Sequence, residues 1–411
     1  MPEATHHRLV RGASAALLAA GLSLAAVAPA AADAGFRRWI SDFESVAAKA
    51  GVRHDVYRRV FAGIDDPDPA VIEKARYQPE FNDQVWDYLD NRVNEESIAE
   101  GRALRTKLKP WLDRIEARFG VDRDVLLAIW SMETNYGRVL KRDDVVRSVP
   151  RSLATLAYLD RRRAKYARTQ LIAALKMVQE GDVSPAGLTG SWAGAMGHTQ
   201  FIPTSYRIYR ADMDGNGHAD IWTSVPDALA TTANLLRKNG WQSGHTWGYE
   251  IEIPSDAVAR KLRRANKTLA QWAALGFRRP NGKDFPRPSD RANLVLPAGP
   301  DGPAFLMTKN FFVLKRYNNA DKYALAVGHL ADRIGGYGAF ENTWPRGYTP
   351  LSMEERYELQ QRLTHRGLYD GKIDGKIGSG SKSAIMAYQR QYGMPEDGNA
   401  SKALLDILRS R

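Results

Sequence analysis

The 411-residue sequence contains no cysteine. The chain can therefore form no disulfide bond and lacks the thiol to which a lipoprotein anchor is attached. It also shows no histidine–glutamate pairing suited to zinc, no phosphate-binding loop and no serine-nucleophile motif. These absences exclude several common enzyme classes.

Long apolar runs are scarce, and none after residue 32 is long enough to span a bilayer. The run at residues 15–28 follows Arg8 and Arg11, consists mostly of alanine, and leads into small residues at 28–32. This layout predicts a secretory signal peptide over residues 1–32, cleaved after Ala32. An uncleaved membrane anchor is the alternative. We expect an exported, soluble protein that is not a lipoprotein.

Acidic residues are outnumbered by basic ones. The net charge is +12, and loss of Arg8, Arg11 and Glu3 with the leader leaves +11. Such a surface favours acidic partners. Export makes anionic envelope polymers a better candidate than nucleic acid, which we do not expect as a partner.

The spacing of apolar residues and the positions of Gly and Pro predict a mainly α protein with two domains after the signal peptide. Helical segments with Gly and Pro loops dominate up to residue 340, while strand-like alternation is confined to short stretches such as 249–253 and 305–313. A linker rich in Gly and Pro at 341–351 separates this body, residues 33–340, from a tail at 352–411. In the tail we expect three short helices, the first opened by a capping box at Ser352 and closed at Gly367.

Glu133 is the candidate catalytic residue. Asp122 or Asp124 can cap a helix whose apolar positions recur at helical spacing, and this spacing places Glu133 on the buried face. Asn135 and Gly137 then end the helix, so that a cleft can open beside the carboxyl group. Burial favours the protonated form that a general acid needs. A Glu paired structurally with an arginine or a backbone amide is the alternative.

Residues 133–137 (Glu-Thr-Asn-Tyr-Gly) resemble the catalytic segment of lytic murein transglycosylases of the membrane-bound lytic transglycosylase B family. The similarity covers residues 36–340 in order and spacing. The further matching segments are 78–81 (Gln-Pro-Glu-Phe), 153–158 (Leu-Ala-Thr-Leu-Ala-Tyr), 194–203 (Gly-Ala-Met-Gly-His-Thr-Gln-Phe-Ile-Pro) and 316–324 (Arg-Tyr-Asn-Asn-Ala-Asp-Lys-Tyr-Ala). Their joint occurrence is far more specific than any one motif.

The resemblance implies a lysozyme-like α-helical catalytic domain. It also implies cleavage of the β-1,4 bond between N-acetylmuramic acid and N-acetylglucosamine without water, leaving a 1,6-anhydro ring on the muramoyl product. Glu133 would act first as acid and then as base, with no cofactor, where an ordinary glycosidase uses two carboxylates. Asp143 and Asp144 lie in a charged stretch and receive no role.

The same resemblance implies a sugar-binding set. Amide and phenol groups would bind sugar substituents, and aromatic faces would stack on the rings. The expected residues are Gln200, Tyr317, Asn318 and Tyr323, with Tyr158, Met196 and Phe201 as apolar wall or, alternatively, ordinary core.

Residues 212–220 read as the first nine positions of a calcium loop. Asp212, Asp214, Asn216 and His218 would supply ligands, but Thr223 stands where a bidentate Glu is expected. Asp227 can reach back in its place, as in family members with an atypical loop. Structural calcium and a metal-free turn both remain open.

The tail resembles a three-helix peptidoglycan-binding domain through residues 359–363, 367–371, 373–378, 387–390 and 397–398. Such a module would hold a monomeric enzyme on its polymeric substrate, the glycan strands, alone or beside other cell-wall enzymes. A helical appendage that merely stabilises the protein is the alternative.

Two other functions of the whole chain remain open: a lysozyme-like hydrolase, and a catalytically silent wall-binding scaffold. The family resemblance favours the periplasm.

Overall fold

A computed structural model describes residues 33–76, 84–263, 265–280 and 282–410. The expected signal peptide (1–32) and the motif at 78–81 lie outside these ranges. No helix of the described residues is long and apolar enough to cross a membrane.

The described chain is mainly α-helical, as expected. The helices, in chain order, are α1 Ala34–Lys49, α2 His54–Phe61, α3 Pro69–Arg76, α4 Val85–Arg92, α5 Glu95–Lys107, α6 Lys109–Phe119, α7 Arg123–Thr134, α8 Val149–Leu159, α9 Ala164–Gln179, α10 Pro203–Tyr209, α11 Val225–Lys238, α12 Asp256–Leu262, α13 Leu269–Ala274, α14 Lys309–Tyr317, α15 Asp321–Ile334, α16 Met353–His365, α17 Ser379–Gln391 and α18 Lys402–Ser410. A 3-10 turn occupies Arg138–Lys141. The strands are β1 Arg147–Ser148, β2 Thr189–Gly190, β3 Gly248–Ile251, β4 Asn266–Thr268, β5 Arg291–Val295 and β6 Ala304–Met307.

The largest core lies in the helical body, where α7 is buried along nearly its whole length and packs against α15. Its sequence explains this position, because Leu126, Leu127 and Ile129 leave no polar face in the middle of the helix. The helix that carries Glu133 is therefore a central, rigid element.

The four-stranded antiparallel sheet, in the order β3-β6-β5-β4, forms a small lobe with its own core. Trp272 of α13 is fully buried there and donates its indole N–H to the carbonyl of Ala292 at 3.0 Å. The prediction of a strand at 305–313 is correct only for its first part. Strand β6 ends at Met307, and the chain continues as helix α14.

The tail forms the three expected helices around a third core. Ser352 and Glu355 make both hydrogen bonds of the capping box of α16. Gly367 follows that helix with φ 69°, a left-handed conformation that glycine adopts without strain.

An ionic cluster joins the tail and linker to α4. Asp90 accepts from Arg346 at 2.5 and 2.8 Å and from Arg356 at 2.8 Å, while Lys382 contacts Asp87 at 2.9 Å. Asn91 exchanges two hydrogen bonds with the backbone of Ile377. The two domains therefore meet through specific, partly buried polar contacts.

We expect Asp90→Ala to lower the free energy of unfolding by about 3 kcal/mol, since it leaves two largely buried guanidinium groups without their carboxylate. Chemical denaturation measures this loss, and limited proteolysis should cut the linker faster. The exposed pair of Glu396 and Arg390 supplies the control, for which Glu396→Ala should cost less than about 0.5 kcal/mol. Equal losses would contradict a role for the cluster in joining the domains.

Candidate active site

Three consecutive left-handed residues end α7 immediately after Glu133 and Thr134. Asn135, Tyr136 and Gly137 have φ angles of 49°, 56° and 85°. Two of them are not glycine, so the conformation carries strain that the surroundings must offset. The abrupt end leaves the half-buried Glu133 in the last turn of the helix.

The turn after α7 is held by the segment at 194–203. The Thr134 hydroxyl donates to the carbonyl of His198 at 2.6 Å and accepts from the N–H of Gly137 at 3.1 Å. The indole N–H of Trp130 donates to Nδ1 of His198 at 3.1 Å, and burial lowers the pKa of that histidine. His198 therefore accepts this bond as a neutral imidazole, and its contacts with Thr134 and Trp130 position the helix end.

Tyr323 contacts the candidate catalytic carboxyl directly. Its phenol donates to Oε1 of Glu133 at 2.6 Å. Tyr317 stacks parallel to Tyr323, with ring centroids 6.4 Å apart, and donates its hydroxyl to the carbonyl of Thr199. The structure thus joins residues from α7, α14, α15 and the 194–203 segment at one place.

Burial and the neighbouring Glu133 carboxyl raise the pKa values of both Tyr317 and Tyr323 well above the ordinary tyrosine value. Both phenols therefore stay protonated in the neutral range and can act only as neutral hydrogen-bonding groups.

The 194–203 segment is a tight turn built around glycine. A Cβ on Gly197, whose φ is 67°, would lie 2.4 Å from the carbonyl oxygen of Ile221. Gln200 has φ 53° and donates its side-chain amide to the Gly197 carbonyl at 3.0 Å. Met196 is fully buried, and Phe201 packs edge-on against Tyr317. Met196 and Phe201 are therefore core side chains at this place.

The remaining two expected sugar-binding residues are Asn318 and Tyr158. Asn318 is exposed at the end of α14, directly after Tyr317. Tyr158 is half-buried and packs against Phe36 of α1.

One cationic group beside the site was missed by sequence reasoning. Arg92 of α4 donates to the carbonyl of Met132 at 3.3 Å and lies over the ring of Tyr88, as does Lys322. No local signal marks Arg92, because α4 reaches α7 only through tertiary packing 40 residues away. Asp144, in contrast, forms an exposed pair with Arg142.

The loop at 212–220 brings three carboxylates together. Ligand atoms of Asp212, Asp214 and Asp227 lie within 4.8 Å of one another. Asp227 is fully buried at the start of α11, and this burial raises its pKa, although it accepts backbone N–H groups from Met213 and Asp220. Oxygen ligands at this spacing suit a hard cation such as calcium.

The other loop residues make local bonds. Asn216 accepts the N–H of His218, whose own side chain is exposed. Thr223 donates its hydroxyl to Asp220. The position expected for a bidentate Glu is thus occupied by a side chain turned into the loop itself.

Comparison with known families covers most of the chain. The Transglycosylase SLT domain family matches residues 35–332, and the peptidoglycan binding domain family matches residues 352–408. Membrane-bound lytic murein transglycosylase B from Escherichia coli K12 is 30% identical over 253 residues, which are 60% of this chain and 66% of that relative.

Solved structures agree with these matches. SltB3 from Pseudomonas aeruginosa, in complex with NAG-NAM-pentapeptide, is 44% identical, with a TM-score of 0.72 over 91% of this chain and 99% of SltB3. The Escherichia coli lytic transglycosylase Slt35, in complex with calcium, is 25% identical, with a TM-score of 0.59 over 74% and 93% of the two chains. Sequence and fold agree, and the chain therefore belongs to the transglycosylase SLT family, as a lytic transglycosylase with a C-terminal peptidoglycan-binding domain.

Proposed function

We propose that the chain cleaves the β-1,4 bond between N-acetylmuramic acid and N-acetylglucosamine of peptidoglycan through Glu133 alone. The observation that carries this assignment is the half-buried carboxyl group at the strained end of α7, with the Tyr323 phenol 2.6 Å from Oε1. Further support comes from SltB3, whose solved complex contains NAG-NAM-pentapeptide.

Glu133 first gives its proton to the glycosidic oxygen as the bond to the muramoyl carbon breaks. The resulting carboxylate then takes the proton from the muramoyl 6-hydroxyl as that oxygen attacks the same carbon. The ring closes to the 1,6-anhydro product, and the enzyme returns to its protonated form. The proton count balances with one carboxyl group and neither water nor a cofactor.

The phenol of Tyr323 is a positioning group in this scheme. It holds one oxygen of Glu133 through both proton transfers, because its raised pKa keeps it protonated throughout. Gln200, Tyr317 and Asn318 are proposed to bind sugar substituents, with Tyr158, Met196 and Phe201 forming the wall behind them.

Residues 1–32 are proposed as a signal peptide, 33–340 as the catalytic domain, 341–351 as the linker and 352–411 as the peptidoglycan-binding domain. A family that acts on the cell wall works outside the cytoplasm, and we assign this monomeric enzyme to the periplasm, with glycan strands as its partner. Other cell-wall enzymes are proposed as further partners, and nucleic acid is not.

Calcium is proposed as a structural ion, held by Asp212, Asp214 and Asp227 with Asn216 and His218 of the same loop. Two observations support it: the convergence of three carboxylates and the Slt35 complex with calcium. The ion would offset the repulsion among these groups and tie the loop to α11.

We expect Glu133→Gln to abolish cleavage while leaving binding to sacculi unchanged. Mass spectrometry of digested sacculi should show anhydromuramoyl ends for the native enzyme and no products for the variant. Glu252→Gln, which changes an exposed glutamate of the sheet lobe, is the matched control and should cleave normally. Products with reducing muramic acid ends would instead support a hydrolase, and full activity of Glu133→Gln would refute the site.

We expect Tyr323→Phe to lower kcat by about 10- to 100-fold with little change in KM, since a hydrogen bond to a charged group contributes about 1.5–3 kcal/mol. Steady-state kinetics on soluble glycan fragments measures this. Tyr206→Phe removes another buried phenol, which donates to the Ala219 carbonyl at 2.8 Å, and should alter stability but not kcat. Equal rates for Tyr323→Phe and the native enzyme would remove Tyr323 from the scheme.

We expect millimolar calcium to raise Tm, because a ligand that binds only the folded state stabilises it. Differential scanning calorimetry should show the shift with calcium, a smaller one with magnesium, and none for Asp214→Ala. Asp220→Ala, in the same loop but outside the carboxylate cluster, should retain the calcium shift. A native Tm that does not respond to calcium would contradict the metal site.

A further inference from the structure

A cavity opens at the end of α7 opposite to Glu133. It encloses about 460 Å³ between the start of α7, the end of α15 and the segment from Trp241 to Tyr249. Glu133 lies eleven positions after Asp122, which corresponds to about 16 Å along the helix axis. The cavity is therefore separate from the catalytic cluster.

Its walls combine aromatic rings and carboxylates. Trp241, Trp247 and Tyr249 line one side, and Tyr337, which is 72% exposed, stands at the rim. Asp122, Asp124 and Asp332 supply the acidic groups. A cavity with this lining is unusual in a chain whose net charge is +12.

Asp332 has no cationic partner among the described residues. Its carboxylate accepts the indole N–H of Trp247 at 3.0 Å. Burial, followed by the negative charges of Asp122 and Asp124, raises the pKa of Asp332 to about 7. An added positive charge in the cavity would therefore be attracted to it.

The neighbouring groups do not neutralise Asp332. Asp124 is paired with Arg105, which approaches from α5 at 2.7 Å. Arg279 lies over the ring of Tyr249 and donates to the carbonyl of Asp284. The remaining titratable wall groups are Asp122, Tyr249, Tyr337 and His245, which bonds to Asp290 at 2.8 Å.

A bare metal ion does not suit this arrangement. Within the described part of the chain, three carboxylates converge to metal-binding distance at Asp212, Asp214 and Asp227, but not in this cavity. Carboxylates spread over the wall and facing aromatic rings instead suit a larger cation with a carbon body, since ring faces attract cations and cover apolar groups.

We propose that this cavity binds an organic ammonium group carried on an aliphatic chain, such as a lysine-like side chain of a peptide. The ammonium group contacts Asp332 and Asp122, and the chain lies against the exposed ring of Tyr337. The site is independent of the cleavage reaction and does not require the catalytic assignment to be correct.

The test uses N-acetyl-lysine amide as the probe and the full-length chain labelled with 5-fluorotryptophan, with the Trp247 signal assigned through Trp247→Phe. We expect a saturable shift of that ¹⁹F signal, with a Kd on the order of millimolar. N-acetyl-norleucine amide, which lacks the ammonium group, should produce no saturable shift. Binding should weaken about tenfold from pH 8 to pH 6, as Asp332 becomes protonated.

Two variants separate the charge of Asp332 from other effects. Asp332→Asn keeps the acceptor for Trp247 and should weaken binding at least tenfold at pH 8. It should also remove the pH dependence that arises from Asp332. His245→Gln should retain that pH dependence. Asp301→Asn, an exposed aspartate outside the cavity, should bind normally. Asp122→Asn, which can still cap α7, provides a second charge removal if Asp332→Asn is unstable.

Equal binding of the norleucine probe would overturn the proposal, as would unchanged affinity in both Asp332→Asn and Asp122→Asn. A shift produced by N-acetylglucosamine and not by the lysine probe would identify a saccharide site instead and would equally overturn it. Because Glu133→Gln leaves the cavity intact, that variant should bind the lysine probe normally even though it cleaves nothing.

Discussion

The hydrogen bond between Tyr323 and Glu133 is the interaction on which the active site depends. It joins the last turn of α7 to the first turn of α15, two helices that pack along their length. The carboxyl group is held in place before any substrate arrives. In the reaction proposed for Glu133, a group that donates and then recovers a proton benefits from such fixed geometry, because no reorganisation is needed between the two steps.

The strained end of α7 is maintained by its neighbours. Asn135 and Tyr136 adopt left-handed conformations that cost free energy, and the bonds of Thr134 to His198 and of Tyr136 to the Ser97 carbonyl offset that cost. Strain, buried aromatic rings and an ionisable carboxyl group meet within a few residues. The helices α7 and α15 also line an acidic, aromatic cavity at the other end of their contact. One helix packing therefore supports two chemically different sites.

Local sequence signals predicted the features that short-range physics decides. Ser352 and Glu355 form their capping box, Asp122 caps α7, and Gly367 follows the first tail helix, as expected. The prediction failed where an apolar run had no clear period. The run at 305–313 is strand to Met307 and helix from Lys309, because short apolar segments fit either structure until their neighbours are known.

The sequence by itself determined the family, the mainly α architecture and the candidate acid, because these depend on motifs, periodicity and helix-stop residues close to one another in the chain. The tertiary structure alone decided which phenol bonds to Glu133, that Arg92 lies beside the site, that Met196 is core, and that Asp90 joins the two domains. Each of these features depends on residues that are far apart in the sequence. Their partners are selected by the packing of whole helices, which no local pattern encodes.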